Sequence, residues 1–232
     1  MIMAANAHGE RFFQKMAWVL FALVISGFGL MQLVIPEATG PFTPLIGIHA
    51  AILLTWFGLL IVQPTLIAAG KWQLHRKLGF ASIAVAIGVV VLGYLTTRGA
   101  FARPDWTIAR LDQRGSAIFP TMDLIGFSIA YIVALVFRRS PAVHKRFMLL
   151  AGILMIDPAA ARLVGTLGLP PPVILLVHLG LLAALIVYDV RKLGRPHWAS
   201  LAGLGIVVAG FGTKFAVPQT DWWAGIAQAL YG

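Results

Sequence analysis

The stretch Leu45–Ala69, LIGIHAAILLTWFGLLIVQPTLIAA, decides the fold: it runs for 25 residues without Asp, Glu, Lys or Arg. About 20 apolar residues in a helix cross the hydrocarbon core of a bilayer. A single lipid-exposed stretch can satisfy its own backbone only as a helix. Working outward, six further runs match this pattern: Met16–Ile35, Arg76–Thr97, Ala117–Phe137, Phe147–Leu167, Val173–Val190 and Ala199–Val217. The breaks between them carry turn chemistry, at Pro36 to Pro44, Pro104, Pro141, Pro170–Pro172 and Pro196. The expected architecture is all-α, a polytopic seven-transmembrane-helix bundle forming one domain over residues 1–232. The closing segment Trp222–Tyr231, WWAGIAQALY, is short and aromatic and is expected in the headgroup interface.

Composition agrees. Hydrophobic residues make up 59% of the 232 residues and charged residues 11%, where a soluble domain carries about 25% charged residues. The mean hydropathy is +0.88. With no cysteine, disulfides and thiolate metal sites are excluded. The net charge of +10 does not signal nucleic acid, because the basic residues sit in short segments between apolar runs, where they orient a membrane protein. Arg11, Lys15, Lys71, Arg76, Lys77, Arg138, Arg139, Lys145, Arg146, Arg191, Lys192 and Arg195 flank one side of the spans. Arg98, Arg103, Arg110, Arg114 and Lys214 flank the other. The richer side is expected to be cytoplasmic, which places the N-terminus inside and the protein in a bacterial inner membrane. The first run is longer than the apolar core of a cleaved signal and is expected to be a retained span.

Ionisable residues inside spans mark candidate sites, because lipid cannot solvate them. Counting 1.5 Å per residue from the outer ends puts His49, Asp123, Arg162 and His178 in one layer on four helices, about 6–9 Å deep. Asp157, just before Pro158, lies nearer the midplane. His49, Trp56 and Gln63 recur every seven residues and share a helix face, and His178 and Asp189 share another. Gln63 is expected to point into the bundle. On the inner side, Leu-His75-Arg76-Lys77 and Val-His144-Lys145-Arg146 begin two spans in similar ways. His8 and His197 read as loop residues.

These positions admit several chemistries. In a redox reading, His49 with His178 and His75 with His144 ligate haem b from facing helices, with Arg162 and the inner bases holding propionates. A second reading is a zinc-dependent hydrolase using His49, Asp123 and His178, with Arg162 at the oxyanion and Asp157 as base. A third is a proton- or solute-coupled transporter in which Asp and His residues relay charge. Against all three stands a structural reading: an Asp123–Arg162 ion pair, carbonyl-bonded histidines, and His75 and His144 as interface anchors. A retinal adduct on Lys214 is disfavoured because Lys214 lies three residues from the outer end of its span and the third span has no acid. The implied partners are the lipid bilayer and an electron donor or small-molecule substrate, and homo-oligomers are compatible with the pattern.

His49, Trp56, Gln63, His75-Arg76 and Gly79, with His144-Lys145-Arg146-Phe147-Met148, Asp189-Val190-Arg191 and Gly194-Arg195-Pro196-His197, resemble a group of uncharacterised bacterial multi-span membrane proteins. That group carries an intramembrane His and a span beginning His-Arg-x-x-Gly. A more distant likeness is to cytochrome b561-type proteins, and it implies two haems held by paired intramembrane histidines. This chain differs in placing His75 and His144 at span edges and Asp123, not His, in the fourth span.

Overall fold

The computed structural model describes residues 2–38 and 42–232, with side chains from residue 11 onward. His8 therefore lies outside the described side chains, and the predicted break from Pro36 to Pro44 lies partly outside the described residues. The described chain is helical throughout: α1 (Ile2–Val34), a short 3-10 turn (Pro36–Ala38), α2 (Pro44–Ala68), α3 (Trp72–Phe101), α4 (Gln113–Ser116), α5 (Ile118–Val136), α6 (Pro141–Leu154), α7 (Asp157–Thr166), α8 (Pro172–Leu193), α9 (Trp198–Ala216) and α10 (Asp221–Tyr231). Six helices are long and apolar enough to cross a membrane. Among the described residues no strand occurs.

Local chemistry sets the ends. Thr43 Oγ1 accepts from Ile46 N (3.3 Å) to cap α2, and Pro44 occupies its first turn, where a missing N–H costs nothing. Gly194 closes α8 in the left-handed conformation (φ 74°), which glycine adopts without strain. Helix α3 extends past the apolar run at both ends, because Trp72–His75 and Arg98–Phe101 continue the helix into polar surroundings.

The expected fifth span, Phe147–Leu167, is broken. Helices α6 and α7 meet at 43° across Met155 and Ile156. Pro158 has no N–H, and its ring clashes with the carbonyl four residues earlier, which favours a kink or break at this point. The chain tightens at the break into short-range bonds, Met155 N to Gly152 O (3.1 Å) and Ile156 N to Ile153 O (3.4 Å).

Helix α6 is the centre of the core, with every residue from Leu149 to Leu154 buried. Trp56 of α2 packs edge-on against Phe127 and Tyr131 of α5, with centroids 5.0 and 5.4 Å away. Large apolar side chains such as Ile87, Ile132, Leu176 and Val208 face outward instead, as lipid-facing residues do.

Helix α7 packs chiefly on α1, while α6 packs on α5. The α1–α7 approach depends on Gly27: a Cβ there would lie 2.7 Å from the Ala159 carbonyl carbon and 3.0 Å from Ala159 Cα. Backbone atoms cannot rotate away, so Gly27→Ala must push α7 off α1. The expected cost is about 1–3 kcal/mol, read as a lower thermal midpoint in detergent. A midpoint equal to wild type would show that the two helices separate freely.

Helix α10 covers the end of the bundle near α4. Trp223 Nε1 donates to Arg114 O (2.6 Å), Tyr94 Oη donates to Leu230 O (2.8 Å), and Tyr231 Oη bonds Thr121 Oγ1 (2.8 Å). Trp223 and Tyr231 are buried while Trp222 is exposed. This is the two-faced arrangement expected of an interfacial helix.

Candidate functional site

The most charged point inside the bundle is Lys214 of α9, with a side chain only 4% exposed. Its ammonium donates to Asp123 Oδ1 of α5 at 2.5 Å and to Asp157 Oδ2 of α7 at 2.7 Å. The aliphatic part of such a side chain packs along apolar surface while its charge seeks partners; here the ammonium also sits 4.9 Å from the Phe211 ring centroid. Three helices thus meet on one cation. Helix breaking supplies one partner: Pro158 starts α7 at Asp157, and a carboxylate at a helix N-terminus is favoured by the dipole.

His178 of α8 completes the group. Its Nδ1 lies 2.8 Å from Ile174 O, which requires a proton on Nδ1. In the neutral ring Nε2 is then an acceptor, and it faces Asp157 Oδ1 at 3.8 Å. Asp157 Oδ1 is buried and has no hydrogen-bond partner among the described residues. Two acceptors therefore face one another, a pairing that one shared proton would convert into attraction. With Asp123, Asp157 and Lys214 ionised and His178 neutral, the group carries one net negative charge.

A cavity of about 190 Å³ lies beside this group. Asp123, His178 and Lys214 form its polar side, and Ile125, Ile129 and Ile206 its apolar wall.

The expected outer layer divides. His178 and Asp123 belong to the group. Arg162 does not: its Nη1 donates to Pro158 O (2.9 Å), and its guanidinium lies 4.5 Å over the Phe28 ring of α1. The anticipated Asp123–Arg162 pair is replaced by Asp123–Lys214, because Arg162 lies on the side of α7 that packs on α1. His49 is half-buried, its Nδ1 lacks a hydrogen-bond partner, and among the described residues it makes no hydrogen bond or ion pair with the group. Trp56 is fully buried with its Nε1 unbonded.

The inner residues serve the packing of neighbouring helices. With its amide oriented to satisfy its neighbours, Gln63 donates to His75 Nδ1 (2.5 Å) and accepts from Gly79 N (3.0 Å), which joins α2 to α3. Gln63 thus points into the bundle. Ser82 extends the join by donating to Gly79 O (2.7 Å) and bonding Tyr131 Oη (2.8 Å) on α5. His144 Nδ1 lies 2.8 Å from Ala134 O of α5, and His144 makes no hydrogen bond or ring contact with His75.

Asp189 is fully buried and saturated. Arg146 donates to Asp189 Oδ1 from Nε (3.1 Å) and from Nη2, and to Ala142 O from Nη1 (2.6 Å). Asp189 Oδ2 accepts from His197 N (3.1 Å) and Ser200 Oγ (2.6 Å). His197 itself caps α9, its Nδ1 accepting from Ala199 N at 3.1 Å. Partial burial and the nearby Arg146 charge hold its ring below the usual histidine range, which keeps it neutral and able to accept.

The fit to a haem or zinc ion can be read from these partners. His178 is 1% exposed, with Nε2 turned to Asp157 and its ring 5.0 Å from Phe211. Among the described residues no three His, Asp or Glu side chains converge as metal ligands. The expected zinc set of His49, Asp123 and His178 is therefore not assembled among the described residues. Comparison with protein-family models, curated proteins and solved structures returned no match.

Proposed function

We propose that this protein is a proton-coupled membrane transporter whose working group is Lys214 bridged between Asp123 and Asp157, with His178 behind. In this reading α6 and α7 form one broken span, the chain crosses the bilayer seven times, and its N-terminus is cytoplasmic by the distribution of Lys and Arg.

The observation that carries the reading is the buried lysine shared by carboxylates from two other helices. Charged residues inside a bundle are costly and mark ion pathways and proton relays. Their attachment to a broken helix is a feature of secondary transporters, where irregular backbone at depth is tolerated around a working site. A proton arriving on Asp123 or Asp157 neutralises that carboxylate and leaves Lys214 bound to the other. Its departure restores the bridge, so the group steps between one negative charge and none. His178 Nε2 is placed to pass that proton to or from Asp157.

The test uses the full chain in vesicles containing a pH-sensitive dye, with an inside-negative potassium diffusion potential. Wild type is expected to acidify the interior faster than protein-free vesicles. Asp157→Asn is expected to slow this about a hundredfold, the contribution of one positioned proton-transfer group. Equal rates for wild type and Asp157→Asn would overturn the reading.

A further inference from the structure

The cavity beside the charged group carries an observation that proton movement alone does not use. Ile125 and Ile129, both 45% exposed, stand on the outward face of α5 and also line the cavity. Its mouth therefore opens sideways between α5 and α9, onto the lipid-facing surface. At its floor Asp123 is 6% exposed. Lys214 takes Asp123 Oδ1, whereas Oδ2 has no hydrogen-bond partner among the described residues. Across from it, Gly210 lines the cavity, and a Cβ there would meet nothing within 4 Å. The cavity thus joins a nearly buried carboxylate with an unbonded oxygen to an apolar wall, open room and a lateral mouth.

We propose that this cavity binds a hydrophobic organic cation drawn from the bilayer, with its positive group against Asp123. The proposal rests on the proton-coupled reading, because proton and cation then compete for the same carboxylates. Charge selects the occupant: two carboxylates against one ammonium repel an anion, strongly so where water is scarce. A hard metal cation demands six or more oxygen ligands, and the walls here are isoleucine and phenylalanine. The enclosed space, about 190 Å³, is smaller than the roughly 300–1,000 Å³ of a pocket that swallows a drug-sized ligand. It holds the cationic head and one apolar arm, and the sideways mouth leaves the remainder among acyl chains. The charged and titratable groups facing Asp123 are Lys214 of α9 and Asp157 of α7, with His178 of α8 behind Asp157. Protonation of the carboxylates removes the attraction, so binding weakens as pH falls and bound cation releases protons.

The experiment uses the purified full chain in lipid nanodiscs, with tetraphenylphosphonium as probe, equilibrium dialysis as readout and empty nanodiscs as the partition control. Saturable binding above the control is expected. Asp123→Asn is expected to weaken it by about tenfold or more, through loss of the charge attraction between the carboxylate and the phosphonium where water is scarce. Gly210→Leu fills the cavity without touching a charge and is expected to abolish binding while leaving proton entry into vesicles intact. The site is overturned by binding no greater than in empty nanodiscs, by equal saturable binding of tetraphenylborate, or by Gly210→Leu binding like wild type. Intact proton entry with no tetraphenylphosphonium binding sinks the cation site alone. Saturable binding with no proton entry sinks the proton reading alone.

Discussion

Lys214→Met is expected to cost about 3–5 kcal/mol of stability, the penalty for breaking a buried ion pair by removing one partner. The reason lies in what stays behind. Asp123 and Asp157 are both buried and both bonded to the same ammonium. Without it, two carboxylates face one another in a medium that cannot solvate them. A compensating variant separates stability from function. Adding Asp123→Val and Asp157→Val removes both stranded charges, and a buried ion group replaced by well-packed hydrophobic residues of similar volume often folds as well as the original. The triple variant is therefore expected to recover most of the thermal midpoint in detergent and none of the proton entry. A Lys214→Met midpoint equal to wild type would mean that Lys214 is not held between the two acids.

Arg146→Ala is expected to be at least as damaging to folding, about 3–5 kcal/mol, while the proton group stays intact. Arg146 is 3% exposed and spends all three guanidinium nitrogens on Asp189 and Ala142. Its removal leaves Asp189, fully buried at the α6–α8–α9 junction, with only the Ser200 and His197 donors. Arg146→Lys is expected to rescue little, because one ammonium cannot reproduce a planar fork that reaches two acceptors. The check is the yield of monodisperse protein after extraction. Wild-type yield from Arg146→Ala would show that Asp189 is stable without its cation. The two sites also make contrasting statements: every oxygen of Asp189 is bonded, as in a structural lock, whereas Asp123 and Asp157 each keep one oxygen free.

The helices were legible because apolar runs and proline breaks are local properties. Pro44–Ala68 and Pro172–Leu193 fall within three residues of the expected Leu45–Ala69 and Val173–Val190. The polar group was legible in part: Asp123 and His178, put in one layer by counting residues, line the same cavity. What depth cannot supply is azimuth. Arg162 shares their depth but projects from the side of α7 that meets α1, and nothing local says which neighbour a broken helix will choose. Lys214 stands three residues from a span end, where a lysine usually reaches the headgroups. Two acids from distant segments, 91 and 57 residues away, turn it inward. Asp157 carries a readable signal: an acid immediately before a proline in the middle of an apolar run marks a helix start.

The broken span also has a mechanical consequence. Helix α7 is an arm of ten residues, about 15 Å long at 1.5 Å per residue, and Asp157 sits at its pivot. A tilt of roughly 10° about the Met155–Ile156 joint would move the far end of such an arm by about 2.6 Å at that length. The pivot would stay almost where it was. In such a tilt the far end of α7 would move while Asp157 kept its contact with Lys214. Conversely, letting go of that grip removes the ion pair that ties the pivot of the arm to α9.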